Sequence, residues 1–428
     1  MTQRYDTYKD SGVQWLGEIP GHWECTSLGR VLYEKLQYGA SESGDLEYTN
    51  DSMRYIRITD ITLDGKLKKD CCKYLSSEIG KNYPVRKGDV LLARSGATVG
   101  KAFIYNEDNE ACYAGYLIKA SIQQDKVFPT FFFYFTQTSQ YDEWKNRIFI
   151  QATIQNISAE KYTRMKLCIP PLSEQHSIVS FLDDKCGKID EWVTKKHKEV
   201  EHLQELKQRV IADAVTRGLN PHVKMKATNI PWIKEIPEHW EMRKMKYIFD
   251  ERSEKNHPDE PMLSATQSEG VILQSKYQGR VVVVNTGFEG LKLVKVGDFV
   301  IHLRSFQGGI EYAHDRGIIS SAYTILTPKY PEFSAYYKRL FKSSSFIDLL
   351  KICVTGIREG QNINYSKLKQ FSIPLPPLSE QKQIVSYLED KTSKIDKLIA
   401  NITKEIECIK EYKQRLISDV VTGQIKVC

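Results

Sequence analysis

The chain has 428 residues, a net charge of +7 from 61 Lys and Arg against 54 Asp and Glu, and 41% hydrophobic residues, which suits two globular units with connecting segments better than one core. No apolar run is long enough to span a membrane and the opening MTQRYDTYKD lacks the basic and apolar blocks of a signal peptide, so a cytoplasmic protein with no membrane partner is expected. Nine cysteines, an odd number with no CxxC pair, argue for reduced thiols rather than a disulfide framework and imply no zinc site.

The first recognisable signature is WLGEIPGHWE at 15–24, where His22 stands between a proline turn and a tryptophan, a setting that suits packing better than catalysis. The run YIRITDITLDGKL at 55–67 predicts a strand, a turn at Asp64-Gly65 and a second strand. RKGDVLLARSGATVGKA at 86–102 predicts an apolar strand beside a basic glycine turn. Its SGATVGKA resembles a phosphate loop, but Gly96 and Gly100 are one residue too close for G-x-x-x-x-G-K, and Ala102 stands where Ser or Thr is required. As a nucleic-acid loop it is chemically apt: small residues let the backbone approach closely, Arg94 can fork onto guanine or phosphate, and Ser95, Thr98 and Lys101 add donors. An aromatic helical run at 128–147 and the segment QATIQNIS at 151–158 follow.

Residues 170–218, beginning PPLSEQHSIVSFLDDKCGKIDEWV, predict one long helix. The double proline ends what precedes it, Ser173 suits the N-cap, and Glu174 falls in the first turn, where the helix dipole favours an acid. From Ser173 to Thr216 such a helix would be roughly 66 Å long at about 1.5 Å per residue. Leu182, Ile189, Leu203 and Val210 form one heptad seam and Val193, Val200 and Ala214 its companion, interrupted at Lys196 and Lys207. Asp183-Asp184-Lys185 lies on this helix with no partner acid on a strand, so it reads as a solvated face rather than a piece of a nuclease metal site.

The opening signature then returns as WIKEIPEHWE at 232–241, with His239 in the place of His22. SATQSEGVILQS at 264–275, the apolar strand RVVVV at 280–284, KVGDFVIHLRSFQGG at 295–309, an aromatic helical run at 331–351 and IREGQNIN at 357–364 lead to a second copy of the long helix. That copy, 376–424, follows the first at a constant offset of 206 without a gap, a register that chance does not hold. It places Ser379 and Glu380 at the helix start and Leu388, Ile395, Ile402, Ile409 and Leu416 on one seam, with Ile399, Ile406 and Val420 on the other. Lys413 repeats the break at Lys207, which suggests a register marker or a bend. Glu389-Asp390-Lys391 again reads as a solvated face.

Both halves contain Gly-Asp, an apolar strand and Arg-Ser, namely Gly88, Asp89, Arg94, Ser95 and Gly297, Asp298, Arg304, Ser305, as well as a Gln-Asn pair at 155–156 and 361–362. Their middles otherwise have little in common, as expected if each reads a different target; drift of solvent-facing loops after duplication is the alternative. Two helices each apolar along one narrow stripe bury those stripes most simply against each other within one molecule, with a homodimeric coiled coil as the alternative. The helices carry no net charge, so the positive excess lies in the globular halves, a bias that suits a phosphate backbone. No motif for a dinucleotide, a zinc protease, a serine hydrolase or an amino-methyltransferase is present, and no chemistry is expected of this chain.

Duplicated PPLSEQ-x-x-IV helices ending in KQR, each preceded by a domain opening W-x-x-E-I-P-x-H-W, together with GDVLLARSGATVGKA, QNIS and GIREGQN, resemble the specificity subunit of type I restriction-modification systems across essentially the whole chain. The resemblance implies an α+β chain with two target recognition domains, 1–169 and 219–375, and two spacer helices, 170–218 and 376–428, forming an antiparallel intramolecular coiled coil with pseudo-two-fold internal repetition. It also implies double-stranded DNA as ligand, two methyltransferase subunits bound to this chain and two restriction subunits recruited to that core. S-adenosylmethionine would sit on the methyltransferase partner, ATP and magnesium on the restriction partner, and no cofactor on this chain. Base and backbone contacts are expected from Arg57, Thr59, Arg94, Ser95, Thr98, Lys101, Gln155 and Asn156 in the first domain, and from Gln267, Ser268, Arg304, Ser305, Gln307 and Arg358 in the second. Arg94 and Arg304 are the leading candidates, each following a predicted strand. A self-sufficient DNA enzyme and a protein scaffold that binds no nucleic acid are the rival readings.

Overall fold

The computed structural model describes residues 3–427 apart from 46, 63–66, 69, 71, 97, 150–154, 280–286 and 356–361. The expected turn at Asp64-Gly65, the strand at 280–284, and Arg358 and Gln361 therefore lie outside the described residues. The chain forms two compact units: residues 1–196 with 404–428, and residues 197–403. Both repeat helices form as expected, Leu172–Arg217 and Leu378–Val421, each beginning one residue before its serine. Ser173 and Ser379 thus sit inside the first turn instead of capping it. The carboxamide that follows instead ties the helix start to the preceding chain: Gln175 donates to the Pro170 carbonyl at 2.9 Å and Gln381 to Pro376 at 2.8 Å.

The first unit packs the start of the first long helix against the end of the second, and the second unit packs the remaining halves in the same antiparallel sense. The heptad seams account for this burial. Leu182, Leu416 and Val420 are buried in the first unit, and Ala214, Leu388, Ile395 and Ile402 in the second. The shared lysine break has a specific partner: Lys413 pairs with Asp190 at 2.6 Å in the first unit, and Lys207 with Asp396 at 2.6 Å in the second. Asp190 and Asp396 are themselves equivalent positions of the repeat, so the lysines mark register between antiparallel helices.

Each unit carries an antiparallel four-stranded sheet of the same order. In the first it runs Gln37–Tyr38, Leu117–Ala120, Val90–Ala93, Ala102–Ile104; in the second, Phe249–Arg252, Thr324–Pro328, Phe299–Ile301, Glu311–Tyr312. The Gly-Asp motif builds the same turn ahead of the third strand in both. Asp89 accepts the Arg86 N–H at 2.7 Å and Asp298 the Lys295 N–H at 2.8 Å. The aromatic runs fold as helix pairs, Pro129–Phe135 with Ser139–Phe149 and Ser334–Leu340 with Ser344–Ile352. Between these shared parts the units differ. The first has a mixed sheet in which Ser52–Ile56 pairs parallel with Ala111–Tyr113, where the second has two-stranded pairs, Leu263–Thr266 with Gly270–Leu273 and Lys292–Val294 with Gly317–Ile319. After Ile56 the chain forms a short 3₁₀ turn, Ile58–Asp60, instead of continuing the expected strand.

Reduced thiols do not hold throughout. Cys25 and Cys168 are directly opposed on the antiparallel strands Glu24–Ser27 and Lys166–Ile169 and form a disulfide. At a sequence separation of 143, no spacing rule signals this pair; the strand pairing creates it.

The duplicated opening signature has a matching duplicated role. Trp23 Nε1 donates to Glu174 at 3.0 Å and His22 Nε2 lies 2.8 Å from the same carboxylate. Trp240 and His239 hold Glu380 at 2.9 and 2.8 Å. Both indoles are fully buried. Trp240→Ala should therefore cost about 3–5 kcal/mol. Lys207→Ala, removing one side of a partly solvated ion pair, should cost no more than about 1 kcal/mol. Urea titration of both variants checks the order, and a larger loss for Lys207→Ala would transfer the anchoring role to the ion pair.

Candidate nucleic-acid interface

In the first unit the segments that carry Arg94 and Asn156 meet. Ser95 and Asn156 form an antiparallel bridge, and the Ile157 N–H donates to the Arg94 carbonyl at 2.9 Å. The Arg94 guanidinium lies 4.8 Å over the ring of Tyr38, and its Nη1 approaches the Gly115 carbonyl at 3.5 Å. Arg94 Nε and Asn156 Oδ1 are buried without a hydrogen-bond partner. Tyr38 is held in turn by the Ala159 N–H, which donates to its hydroxyl at 3.0 Å. Gly39 permits this arrangement: a Cβ there would lie 2.5 Å from the Ala114 carbonyl oxygen. Tyr116, 66% exposed, stands beside Arg94, whose N–H donates to the Tyr116 carbonyl. The stack on Tyr38 restricts a long cation to one face of the unit.

The turn bearing Thr98 and Lys101 is a β-hairpin between Val90–Ala93 and Ala102–Ile104, closed by the Gly100 N–H on the Ala93 carbonyl. A phosphate loop instead feeds a helix N-terminus, so this geometry agrees with the sequence in excluding one. Among the described residues the Lys101 ammonium has no hydrogen-bond or ion-pair partner, which leaves a cation available to a phosphate. Gln155 is exposed.

Three expected contacts are otherwise engaged. Arg57 forks onto Asp60, Nη2 to Oδ1 at 2.6 Å and Nε to Oδ2 at 3.1 Å, and Thr59 Oγ1 lies 3.4 Å from the same carboxylate. In the second unit Ser305 is fully buried and its hydroxyl accepts the His302 N–H at 2.9 Å. Ser305 is a turn-forming residue, and its place as a contact is withdrawn because its hydroxyl is buried and spent on the His302 N–H. The matching of Arg94 with Arg304 also fails in detail: Arg94 directly follows its strand, whereas His302 and Leu303 intervene between Ile301 and Arg304. Arg304, Gln267, Ser268 and Gln307 are exposed. Sequence reasoning missed Tyr38 and Tyr116, since nothing local marks a tyrosine whose role depends on an arginine more than twenty residues or one sheet away.

The residues that invited a catalytic reading are accounted for as ion pairs and hydrogen bonds. Asp183 accepts the Tyr134 hydroxyl at 2.6 Å, Asp184 pairs with Lys188, Glu389 with Arg339 and Asp390 with Lys394. Among the described residues no group of three or more His, Cys, Asp or Glu is placed to hold a metal ion, and no helix is long and apolar enough to cross a membrane.

A polar network supports the Gly-Asp turn that leads to Arg94. Ser121 Oγ donates to Asp89 at 2.6 Å, and buried Lys119 binds Glu34 at 2.9 Å and the Pro84 carbonyl at 3.0 Å. The hydrogen bond from Lys119 holds the Glu34 carboxyl below the ordinary glutamate value of 4.5, against the opposing effect of burial. A carboxylate depressed in the folded state contributes stability that is complete above its unfolded pKa and is lost as the pH falls through the folded one. Thermal melts of the protein and of Glu34→Gln should therefore differ most near neutrality and converge as the pH falls below the ordinary glutamate value of 4.5. A difference that is constant with pH would assign the loss to packing.

A family model for the type I restriction modification DNA specificity domain matches this chain twice, at residues 23–202 and 233–408. The chain is 24% identical over 430 residues to the type I restriction enzyme MjaVIII specificity subunit of Methanocaldococcus jannaschii, covering 96% of this chain and 94% of that protein. In fold it is similar to a chain from a structure of a type I restriction-modification system, with a TM-score of 0.68, 16% identity and coverage of 94% and 98%. It is also similar to the HsdS subunit of Thermoanaerobacter tengcongensis, with a TM-score of 0.51, 16% identity and coverage of 95% and 98%. With the family model matched over both segments and a specificity-subunit relative aligned along nearly the whole chain, the chain belongs to the type I restriction-modification specificity family, as a DNA-recognition subunit with two recognition domains.

Proposed function

We propose that this chain reads an asymmetric two-part site in duplex DNA, one half-site through residues 1–169 and the other through residues 219–375, with the gap set by the spacer helices. The observation that carries this reading is a duplicated scaffold, conserved to the level of the Gly-Asp turn and the Trp-His-Glu clamp, whose intervening parts differ in topology. Divergent loops on a common frame suit two different base sequences. Bound methyltransferase subunits would methylate adenine with S-adenosylmethionine, and restriction subunits using ATP and magnesium would join that core. Arg94, Lys101, Asn156, Arg304, Gln267 and Gln307 are the leading contacts, with Thr98, Ser95, Gln155 and Ser268 beside them. The chain would work on DNA in the cytoplasm.

The decisive experiment maps methylated adenines in a host carrying this chain with its partners and in one lacking only this chain. A two-part motif that disappears with the chain supports the reading; an unchanged map with active partners rejects it. Given the motif, Arg94→Ala should weaken binding to the matching duplex by about 1–3 kcal/mol and relax one half-site. Arg57→Ala should change affinity less, because its guanidinium is occupied by Asp60. Fluorescence anisotropy on the cognate and single-mismatch duplexes gives both numbers.

A further inference from the structure

In the second unit, the turn holding Gln267 and Ser268 and the loop holding Arg304 and Gln307 converge on one buried carboxylate. Glu311 is fully buried on the edge strand Glu311–Tyr312. Its Oε1 accepts the Lys342 ammonium at 2.6 Å, and that ammonium also donates to the Gly308 carbonyl at 2.9 Å and the Gln267 carbonyl at 3.3 Å. His302 Nδ1 accepts the Arg304 N–H at 3.2 Å, which places the ring proton on Nε2, 3.6 Å from Glu311 Oε1. One side chain thus binds both loops, and the imidazole that accepts the Arg304 N–H lies beside the same carboxylate.

Lys342 stands on rigid ground. It lies in the break between Ser334–Leu340 and Ser344–Ile352, where Ser343 caps the second helix by accepting the Phe346 N–H at 3.3 Å. The Arg304 loop packs closely against the Gln267 turn and the helix pair. A Cβ at Gly308 would lie 2.7 Å from the Gln267 side chain, and one at Gly309, whose φ is +87°, would collide with the Phe341 carbonyl.

Stability alone is a poor reason to bury such a group. A fully desolvated carboxylate is costly, and a well-packed apolar replacement of a buried ion pair is often neutral or stabilising. The cluster is also incomplete, since Glu311 Oε2 and His302 Nε2 are buried without a hydrogen-bond partner. What the charge supplies is geometry: three acceptors around one ammonium tie two exposed loops together, beyond the bridge of Val271 with Ala313 that joins their flanking segments.

We propose that Lys342, Glu311 and His302 are positioning residues for base reading by the second unit, holding the Gln267 turn and the Arg304 loop at the separation that its half-site requires. The proposal rests on the two-half-site reading above. Its test is the methylation map with the full chain and its partners, comparing wild type, Lys342→Met, Glu311→Gln and, as a marker for the other half-site, Arg94→Ala. Lys342→Met and Glu311→Gln should each lower discrimination by roughly tenfold at one or more positions of a single half-site. The half-site that Arg94→Ala alters should keep its bases. A purely structural role would instead reduce methylation at all sites equally, with the motif unchanged and a lowered melting temperature, and that result overturns the proposal. Full retention of both half-sites by both variants also overturns it. Should Lys342→Met fail to accumulate, Glu311→Gln, which keeps the shape of the side chain, carries the test; failure of both to fold assigns the cluster to folding and overturns the proposal. A wild-type map without a two-part motif removes the underlying reading, and the proposal with it.

Discussion

A glutamate in the first turn of each long helix is gripped by the tryptophan and histidine that open the globular half, and the fold of each unit is built outward from that grip. The carboxylate sits where unpaired helix N–H groups and the dipole favour negative charge, and a buried indole N–H has its acceptor there. In the first unit Tyr5 also donates to Glu174, while the Tyr8 hydroxyl donates to the Gly423 carbonyl at 2.9 Å, so the end of the other helix meets the same cluster. In the second unit Gly218 occupies the equivalent corner, its hypothetical Cβ 3.0 Å from Glu380 and 3.3 Å from Trp240. Within each unit, therefore, one interaction relates the sheet scaffold, the start of one helix and the end of the other.

Once these anchors are in place, the parts of each unit that are free to vary are limited. The four-stranded sheet, the Gly-Asp turn and the aromatic helix pair pack against the long helices, as in the hydrogen bond from Tyr336 to the Val215 carbonyl at 2.6 Å. Changes there disturb a close-packed core. Loops leaving the sheet have no such constraint, which is why the two units differ in their middle strands and in the seating of Arg94 and Arg304. Recognition specificity is best carried by such loops on a rigid frame.

Much of the frame was legible in the chain. The constant repeat offset, the heptads at Leu388, Ile395 and Ile402 and the matched lysines foretold long paired helices, because those signals come from local periodicity. The doubled W-x-x-E-I-P-x-H-W signature marked His22 and His239 as packing residues, and the packing partner proved to be the glutamate of the other signature. The candidate site was less legible. Arg57 was chosen for its charge, but Asp60 three residues later takes that charge up; Ser305 was chosen for its hydroxyl, but that hydroxyl is buried and accepts the His302 N–H. The Cys25–Cys168 disulfide had no local mark.

The sequence by itself determined the duplication, the two long helices, the absence of a phosphate loop and the family resemblance, since each depends on the order and spacing of neighbouring residues. Only the tertiary structure decided which polar groups are spent inside the fold and which remain for a ligand. It set Tyr38 under Arg94, closed Asp60 on Arg57, and drew Lys342, Glu311 and Gln267 together. Those choices follow from strand pairing and loop closure between residues distant in the chain, where one inserted residue reverses the face a side chain occupies.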